Sequence, residues 1–336
     1  MSTLYVDRKG VTLRLDGGTL VFEEGGSRVA TIPLAPLERV VLRGDVTLSA
    51  GLLGKLGQAG IGVLVLSGRK GEPALLMQRP HNDARRRVMQ WQRSQDNEFR
   101  LSVARELLKR KVGSQRRFLL ERAQEDLMHR YELRTAAQRM EAAAQSLMEA
   151  QTLAALRGAE GAAAQAFFMG FQTLFAPSLH FSGRNRRPPQ DPVNAVLSLG
   201  YTLLHAEAVL QAHAMGLDPY VGFLHDLDYG RESLACDLVE PHRCGVERLT
   251  WRLFRERVLT VDHFSRVQGA CMLSKAGRQH FYRNWSAVAE GLRQSLRVSC
   301  AALVAAITGE TLSVASSEQE GDHGGSERAE GVGGGL

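Results

Sequence analysis

The chain has 336 residues, enough for two domains that each bury a core of their own. Its 44% hydrophobic and 23% charged content is ordinary for a globular protein, and no apolar run approaches the roughly 20 residues of a bilayer span. The N-terminus enters an alternating strand pattern without a signal-peptide core, so the expected location is cytoplasmic, with no membrane partner, and the net charge of +6 is a weak pointer to a polyanion.

Residues 1–80 read as a β-rich domain. Short alternating runs at Leu4–Val6, Val11–Leu15 and Thr19–Phe22 are punctuated by Lys9-Gly10 and Gly17-Gly18, which are hairpin-type turns. Further strands are expected at Arg28–Ile32, Arg39–Leu42 and Gly62–Leu66, with a short helix over Ser49–Gln58 that places Leu52, Leu53 and Leu56 on one face. This region holds no catalytic cluster. The pattern changes around Pro80 to Asp83, and residues 81–87 read as a linker. From Ala84 almost to Gly309 the chain is helical in character, with successive amphipathic helices over Val88–Val112, Ser114–Tyr131 and Leu133–Ala155. The expected fold class is α+β: an N-terminal β-rich domain, then a larger all-α C-terminal domain over 88–312 whose core is helix against helix. Residues 313–336 lack the apolar side chains to offset the entropy of ordering and read as disordered.

The first helical stretch is basic, with Arg85, Arg86, Arg87, Arg93, Arg100, Arg105, Lys109, Arg110, Lys111, Arg116 and Arg117. Such a run is either a phosphate-binding track or a solvated helix face, and charge alone leaves both open. Cys236, Cys244, Cys271 and Cys300 form no CxxC pair, so free thiols are expected and a structural zinc site is not.

Three segments hold the candidate chemistry. In Leu156 to Gln165, Glu160 stands among small residues that leave room for a ligand, although a glutamate favoured by a helix N-terminus accounts for it as well. In Gly183 to Asn194, Arg184, Arg186 and Arg187 precede two prolines that keep the backbone extended, a stiff basic loop suited to phosphate. Asp191 with Pro192 reads as an N-cap and first turn. In Gly216 to Glu240, His225 closes an apolar run, and Asp237 and Glu240 are three apart, on one helix face. Imidazole nitrogen with carboxylate oxygen suits Mn²⁺ and tolerates Mg²⁺, while His225 alone is equally a core histidine.

Taken together and in order, Arg157 to Gly161, Gly183 to Ala195 with Leu197 to Leu204, Gly216 to His225 and Ser233 to Glu240 resemble the CRISPR-associated endonuclease and integrase family Cas1. The β-rich front and helical remainder fit that family's layout, and only the tail after about Leu312 lies outside the resemblance. The resemblance implies that Glu160, His225 and Glu240 hold a catalytic Mg²⁺ or Mn²⁺. It places Asp237 at a further acidic position of the catalytic set, and Arg184, Arg186, Arg187 and Asn194 at DNA. It also implies a homodimer, formed through the front domain, that works with a small second adaptation protein. That assembly would insert short double-stranded DNA fragments (spacers) into a repeat array, by attack of a 3′-hydroxyl on a phosphodiester. One departure is Cys244 after Arg243, where the family often has proline. Two other readings share these residues: a structure-specific nuclease for branched repair intermediates, and a DNA-binding scaffold without catalysis.

Overall fold

The computed structural model describes residues 2–67, 72–76, 81–185 and 188–309. Strands β1 (Ser2–Asp7), β2 (Val11–Asp16), β3 (Thr19–Glu24), β4 (Ser27–Pro33), β5 (Leu37–Arg43) and β6 (Val46–Leu48) precede helix α1 (Ala50–Gln58) and strands β7 (Gly62–Ser67) and β8 (Glu72–Leu76). Helices α2 (Arg85–Ser94), α3 (Asn97–Glu125), α4 (Arg130–Glu149), α5 (Leu153–Gln172), α6 (Pro192–Ala214), α7 (Ser233–Val239) and α8 (Arg243–Arg255) follow. A hairpin of β9 (Phe264–Val267) and β10 (Ala270–Leu273) then leads into α9 (Lys275–Thr308). The mixed α+β class is as expected: strands first, then helices.

The front strands form two four-stranded sheets, ordered β4-β3-β2-β6 and β1-β5-β7-β8. Gly17-Gly18 and Gly25-Gly26, all at positive φ, make the two-residue turns of the β2–β3 and β3–β4 hairpins. Lys9-Gly10 behaves differently from its hairpin-type reading: β1 and β2 do not pair, and the turn carries the chain from one sheet to the other. In the second sheet β1, β5 and β7 are parallel neighbours, buried on both faces. Val40, Leu42 and Val63 face a core shared with Leu13, Leu20, Leu52 and Leu56 of the first sheet and α1. The alternate residues Val41, Leu64 and Leu66 join the core of the helical body. Tyr5 of β1 stacks on Tyr282 of α9 at 4.7 Å, and Arg293 of α9 reaches Glu38 at 2.5 Å and Thr3 at 3.0 Å. The helical body is therefore cored by helices and also by one face of a sheet.

Helix boundaries shift from those read in the sequence. Helix α3 runs through Gly113, where two helices were expected, because the break falls earlier: Asp96 accepts from the N–H groups of Glu98 and Phe99 and caps α3. Thr152 caps α5 in the same way, dividing the expected Leu133–Ala155 helix. The 81–87 stretch docks on the helical body, with Arg86 donating to the Met215 carbonyl at 3.0 Å. The β9–β10 hairpin stands where helix was expected, turning at Gln268-Gly269, both at positive φ. Helix α6 is long and apolar enough by composition to cross a bilayer, yet fourteen of its residues are buried inside the protein, as in a core helix. Cys244, Cys271 and Cys300 are buried free thiols as expected, and Cys236 is half-buried. The tail expected to be disordered lies outside the described residues.

Candidate active site

Glu160 is the eighth residue of α5, two turns inside the helix, so the macrodipole at the N-terminus does not account for it. Gly158, Ala159, Gly161 and Ala162 beside it carry too little side chain to cover its carboxylate, which keeps about 30% exposure. Glu240 closes α7 at its junction with a single 3-10 turn over residues 240–242, and its side chain is 5% exposed.

His225 sits on the loop between α6 and α7, and that loop is held by four helices. Asp237, one helical turn before Glu240, is buried beneath it. Its Oδ2 accepts from the N–H groups of Phe223 (2.6 Å) and Leu224 (3.0 Å), and its Oδ1 from the N–H of His225 (3.0 Å). Oδ1 also lies 2.7 Å from His225 Nδ1. A carboxylate only accepts, so Nδ1 carries the proton and Nε2 is left with its lone pair. From α5, Arg157 donates to the Leu224 carbonyl at 2.6 Å and pairs with Asp226 at 2.8 Å. From α3, Arg100 donates to the Phe223 carbonyl at 3.1 Å and to Asp226 at 2.6 Å. Gln90 of α2 is fully buried and exchanges hydrogen bonds with Asp218 and Val221 just upstream. Gly222 admits no side chain, since a Cβ there would lie 2.8 Å from the Ser233 carbonyl carbon and 2.9 Å from Asp237 Oδ2. Asp237 is thus a positioning residue with both oxygens engaged, and it has no oxygen left over to ligate a metal. The sequence reading set Asp237 in the catalytic set beside the three candidate ligands, and the contacts give it the part of holding His225.

The glutamates meet through a residue that had been counted in the basic run. Lys111 of α3 is 7% exposed, and its ammonium contacts Glu160 Oε1 and lies 2.6 Å from Glu240 Oε2. Arg243 completes the group, 2.8 Å from Glu240 Oε1, with its guanidinium 4.8 Å over the Tyr201 ring. Burial opposes ionising Glu240, but Arg243 and Lys111 outweigh it and hold the carboxyl well below the usual range. Burial likewise opposes the Lys111 ammonium, and Glu240 and Glu160 overcome it and raise its pKa. Next to this quartet, fully buried Glu247 accepts from Gln115 at 2.8 and 2.9 Å and from the Tyr201 hydroxyl at 2.8 Å, and burial raises its pKa.

Lys111, Arg243, Gln115, Tyr201 and Glu247 were not singled out in the sequence as site residues. A signal for two of them was present: Ala104, Leu108, Lys111, Val112, Gln115, Phe118 and Leu119 form one buried stripe of α3, so Lys111 and Gln115 are polar residues at core positions. Other members of the basic run also have partners within the chain: Arg105 donates to the Ala150 carbonyl, and Arg116 forms a solvent-exposed ion pair with Glu141.

Hard carboxylate oxygens and one oriented imidazole nitrogen are the donor set that suits Mg²⁺ or Mn²⁺. Among the described residues no three His, Cys, Asp or Glu groups already converge as a cage, and an ammonium stands between the two glutamates. The residues nevertheless fit a cation. The pair already embraces one, and Glu240 Oε2 is buried without an aligned hydrogen bond despite the 2.6 Å ion pair. Glu160 and Arg157 project from one face of α5, and Glu240 and Asp237 from one face of α7 and its turn. Arg157 and Asp237 both grip residues 223–226, so the helices that carry Glu160 and Glu240 are each tied to the loop that carries His225.

The basic loop is a different construction from the one expected. Arg184 turns inward, donating to Asn194 Oδ1 at 2.7 Å and Ser198 Oγ at 3.2 Å, with its guanidinium 5.4 Å from the Tyr201 ring. Asn194 is fully buried, and it also bonds the Gly183 carbonyl and Asp191. Asn194 therefore fastens the loop from within and is not at a surface that DNA reaches, which corrects its reading as a DNA contact. Asp191 is the N-cap of α6, as the sequence suggested. Arg186 and Arg187 lie outside the described residues.

A strand-rich front packed onto a helical body, with a carboxylate pair cradling a cation and a histidine oriented by a buried aspartate on the loop before α7, defines a class of two-part proteins whose acid and histidine candidates come from separated elements. A family model described as CRISPR associated protein Cas1 matches residues 4–287, and the chain belongs to that family. It is 41% identical over 285 residues to CRISPR-associated endonuclease Cas1 1 of Thermodesulfovibrio yellowstonii, covering 84% of this chain and 89% of that one. To CRISPR-associated endonuclease Cas1 3 of Thermus thermophilus it is 34% identical, covering 85% and 84%. A Cas1 protein of Thermotoga maritima superposes with a TM-score of 0.81 at 25% identity, over 95% of this chain and 100% of that one. A casposase bound to integration product has the same fold, with a TM-score of 0.79 at 20% identity over 95% of each chain.

Proposed function

We propose that this chain is a divalent-metal-dependent DNA endonuclease and integrase of CRISPR adaptation, with Glu160, His225 and Glu240 as ligands for Mg²⁺ or Mn²⁺. The observation that carries the reading is the Lys111 cation held between Glu160 and Glu240, with Glu240 one helical turn from the Asp237 that holds His225 Nδ1. Support also comes from relatives that carry the name endonuclease over most of their length. Bound there, a divalent ion supplies positive charge for a phosphate oxygen and lowers the pKa of a water or a 3′-hydroxyl. Asp237 fixes the imidazole tautomer so that Nε2 stays a donor of electrons. Arg157 and Arg100 fix the loop so that His225 does not swing away. Arg243, anchored over Tyr201, keeps Glu240 ionised. With water as nucleophile such a centre hydrolyses DNA, and with a 3′-hydroxyl it transfers strands.

The partners proposed are double-stranded DNA, as spacer fragments and repeat array, a second copy of the chain, and a small second adaptation protein, in the cytoplasm. Among proteins of the same fold are a Cas1–DNA complex and the Cas1 part of a Cas6-RT-Cas1–Cas2 complex. Arg186 and Arg187 are proposed to hold phosphates and add no base readout. The test is Mn²⁺-dependent cleavage and strand transfer into a supercoiled plasmid bearing a repeat. Glu160→Gln, His225→Ala and Glu240→Gln should each cost about a hundredfold or more in rate while DNA binding persists. Full activity in the Glu240→Gln protein would remove that residue from the ligand set. Cleavage of branched DNA without any strand transfer would favour the repair-nuclease reading.

A further inference from the structure

We propose that Lys111 is a resident counter-cation that occupies the seat between Glu160 and Glu240 and must be displaced before a divalent ion binds there. This rests on the metal-centre reading above and adds to it a determinant of metal affinity. Lys111 cannot be a ligand itself, because an ammonium has three donors and no lone pair. It contacts one oxygen of each glutamate, so metal and ammonium compete for the same atoms. The two carboxylates come from different elements, α5 and the turn after α7, and without a cation between them they would repel at close range. Arg243 does not fill that place, since it sits on the other oxygen of Glu240 and its guanidinium is packed over Tyr201. A lysine is the residue suited to a temporary seat. Its charge rides on a flexible four-carbon stem that can withdraw, whereas a guanidinium fork locks in place.

The experiment is titration of the full-length protein with Mn²⁺ alone, without DNA, followed by the electron paramagnetic resonance of free Mn²⁺, with thermal melting in chelator as a second readout. Lys111→Met removes the competing charge at similar length, and it should tighten Mn²⁺ binding by about tenfold or more. In chelator its melting temperature should fall, and Mn²⁺ should restore it. Lys111→Arg places a two-pronged cation between the carboxylates and should weaken Mn²⁺ binding by about tenfold. Met-variant affinity equal to or below that of the unaltered protein would overturn the proposal. If the Met variant does not fold, unchanged affinity in the Arg variant overturns it independently. Glu240→Gln distinguishes this failure from that of the parent reading: if Mn²⁺ binding is unaffected by Glu240→Gln, or absent throughout, the metal centre itself is wrong and the proposal falls with it.

Discussion

Replacing Asp237 with Asn exchanges one carboxylate oxygen for an NH₂ group at a buried site that has no slack. The carboxylate accepts four hydrogen bonds: three from the N–H groups of residues 223–225 and one from the His225 ring. An amide of the same shape keeps one acceptor oxygen. Placed toward Phe223 and Leu224, it preserves two of those bonds in weaker, uncharged form and turns its NH₂ toward the N–H and Nδ1 of His225. The His225 N–H then faces a donor and is left without a partner, at about 1–3 kcal/mol, and the lost charge assistance at the other bonds brings the total to about 3 kcal/mol. The ring has an escape, in which Nδ1 accepts and the proton moves to Nε2. That tautomer no longer offers Nε2 to a metal. Asp237→Asn should therefore lower the unfolding free energy by about 3 kcal/mol in urea denaturation with chelator present, and should also suppress Mn²⁺-dependent cleavage by about a hundredfold at temperatures where it stays folded. A variant of unchanged stability that cleaves normally would refute the idea that this carboxylate organises the loop and the imidazole.

Three other perturbations follow from the same contacts. Gly222→Ala should cost about 3 kcal/mol and abolish cleavage, because the added methyl meets backbone of α7 rather than a movable side chain, and a melting curve matching the parent would contradict it. Arg157→Ala frees the Leu224 carbonyl and leaves Asp226 to Arg100 alone, so cleavage should fall by about tenfold while stability changes by about 1–2 kcal/mol, and steady-state rates with urea melts separate the two effects. His205 lies 2.7 Å from Glu232, and although burial opposes its charge, hydrogen bonds to Cys236 and Glu232 carry its pKa from 6.5 to about 9. A raised pKa means the stabilisation is complete below about pH 6.5 and is lost as pH rises through about 9, by up to about 3 kcal/mol. Denaturation of the parent and His205→Gln proteins across that window should show a steeper loss in the parent, and parallel curves would exclude the pair as its source.

The front sheets were legible because alternation and glycine pairs are local signals, and Leu13, Val40 and Leu42 lie in the core that the pattern predicts. What alternation could not give was sheet membership: nothing near Lys9-Gly10 says that β1 pairs with β5 and not with β2, since that choice is made by partners more than thirty residues away. Helix ends were misplaced where a cap outweighed a glycine, as at Asp96 against Gly113. At the site, the spacing of Asp237 and Glu240 was readable, but their division of labour was not, because it depends on which carboxylate faces the 223–225 backbone. Asn194 looked like a polar residue on a basic loop, and burial by its neighbours determined otherwise. Lys111 was hidden by company: ten other basic residues in its stretch look alike until the helix is given a buried side.

The order in which the centre's parts occur along the chain matters for a cell that makes such an enzyme. Lys111, Glu160, His225 and Glu240 become available one after another during synthesis, and β1 finds its stacking and ion-pair partners only on α9, the last described helix. A truncated product that stops anywhere before Glu240 has half a carboxylate pair. One that stops before Lys275 leaves the inner side of the front sheet without Tyr282, Arg278 and Arg293. A DNA-cutting activity released piecemeal would threaten its own genome, and here the ribosome has to pass α9 before the front sheet and the candidate centre both have their partners.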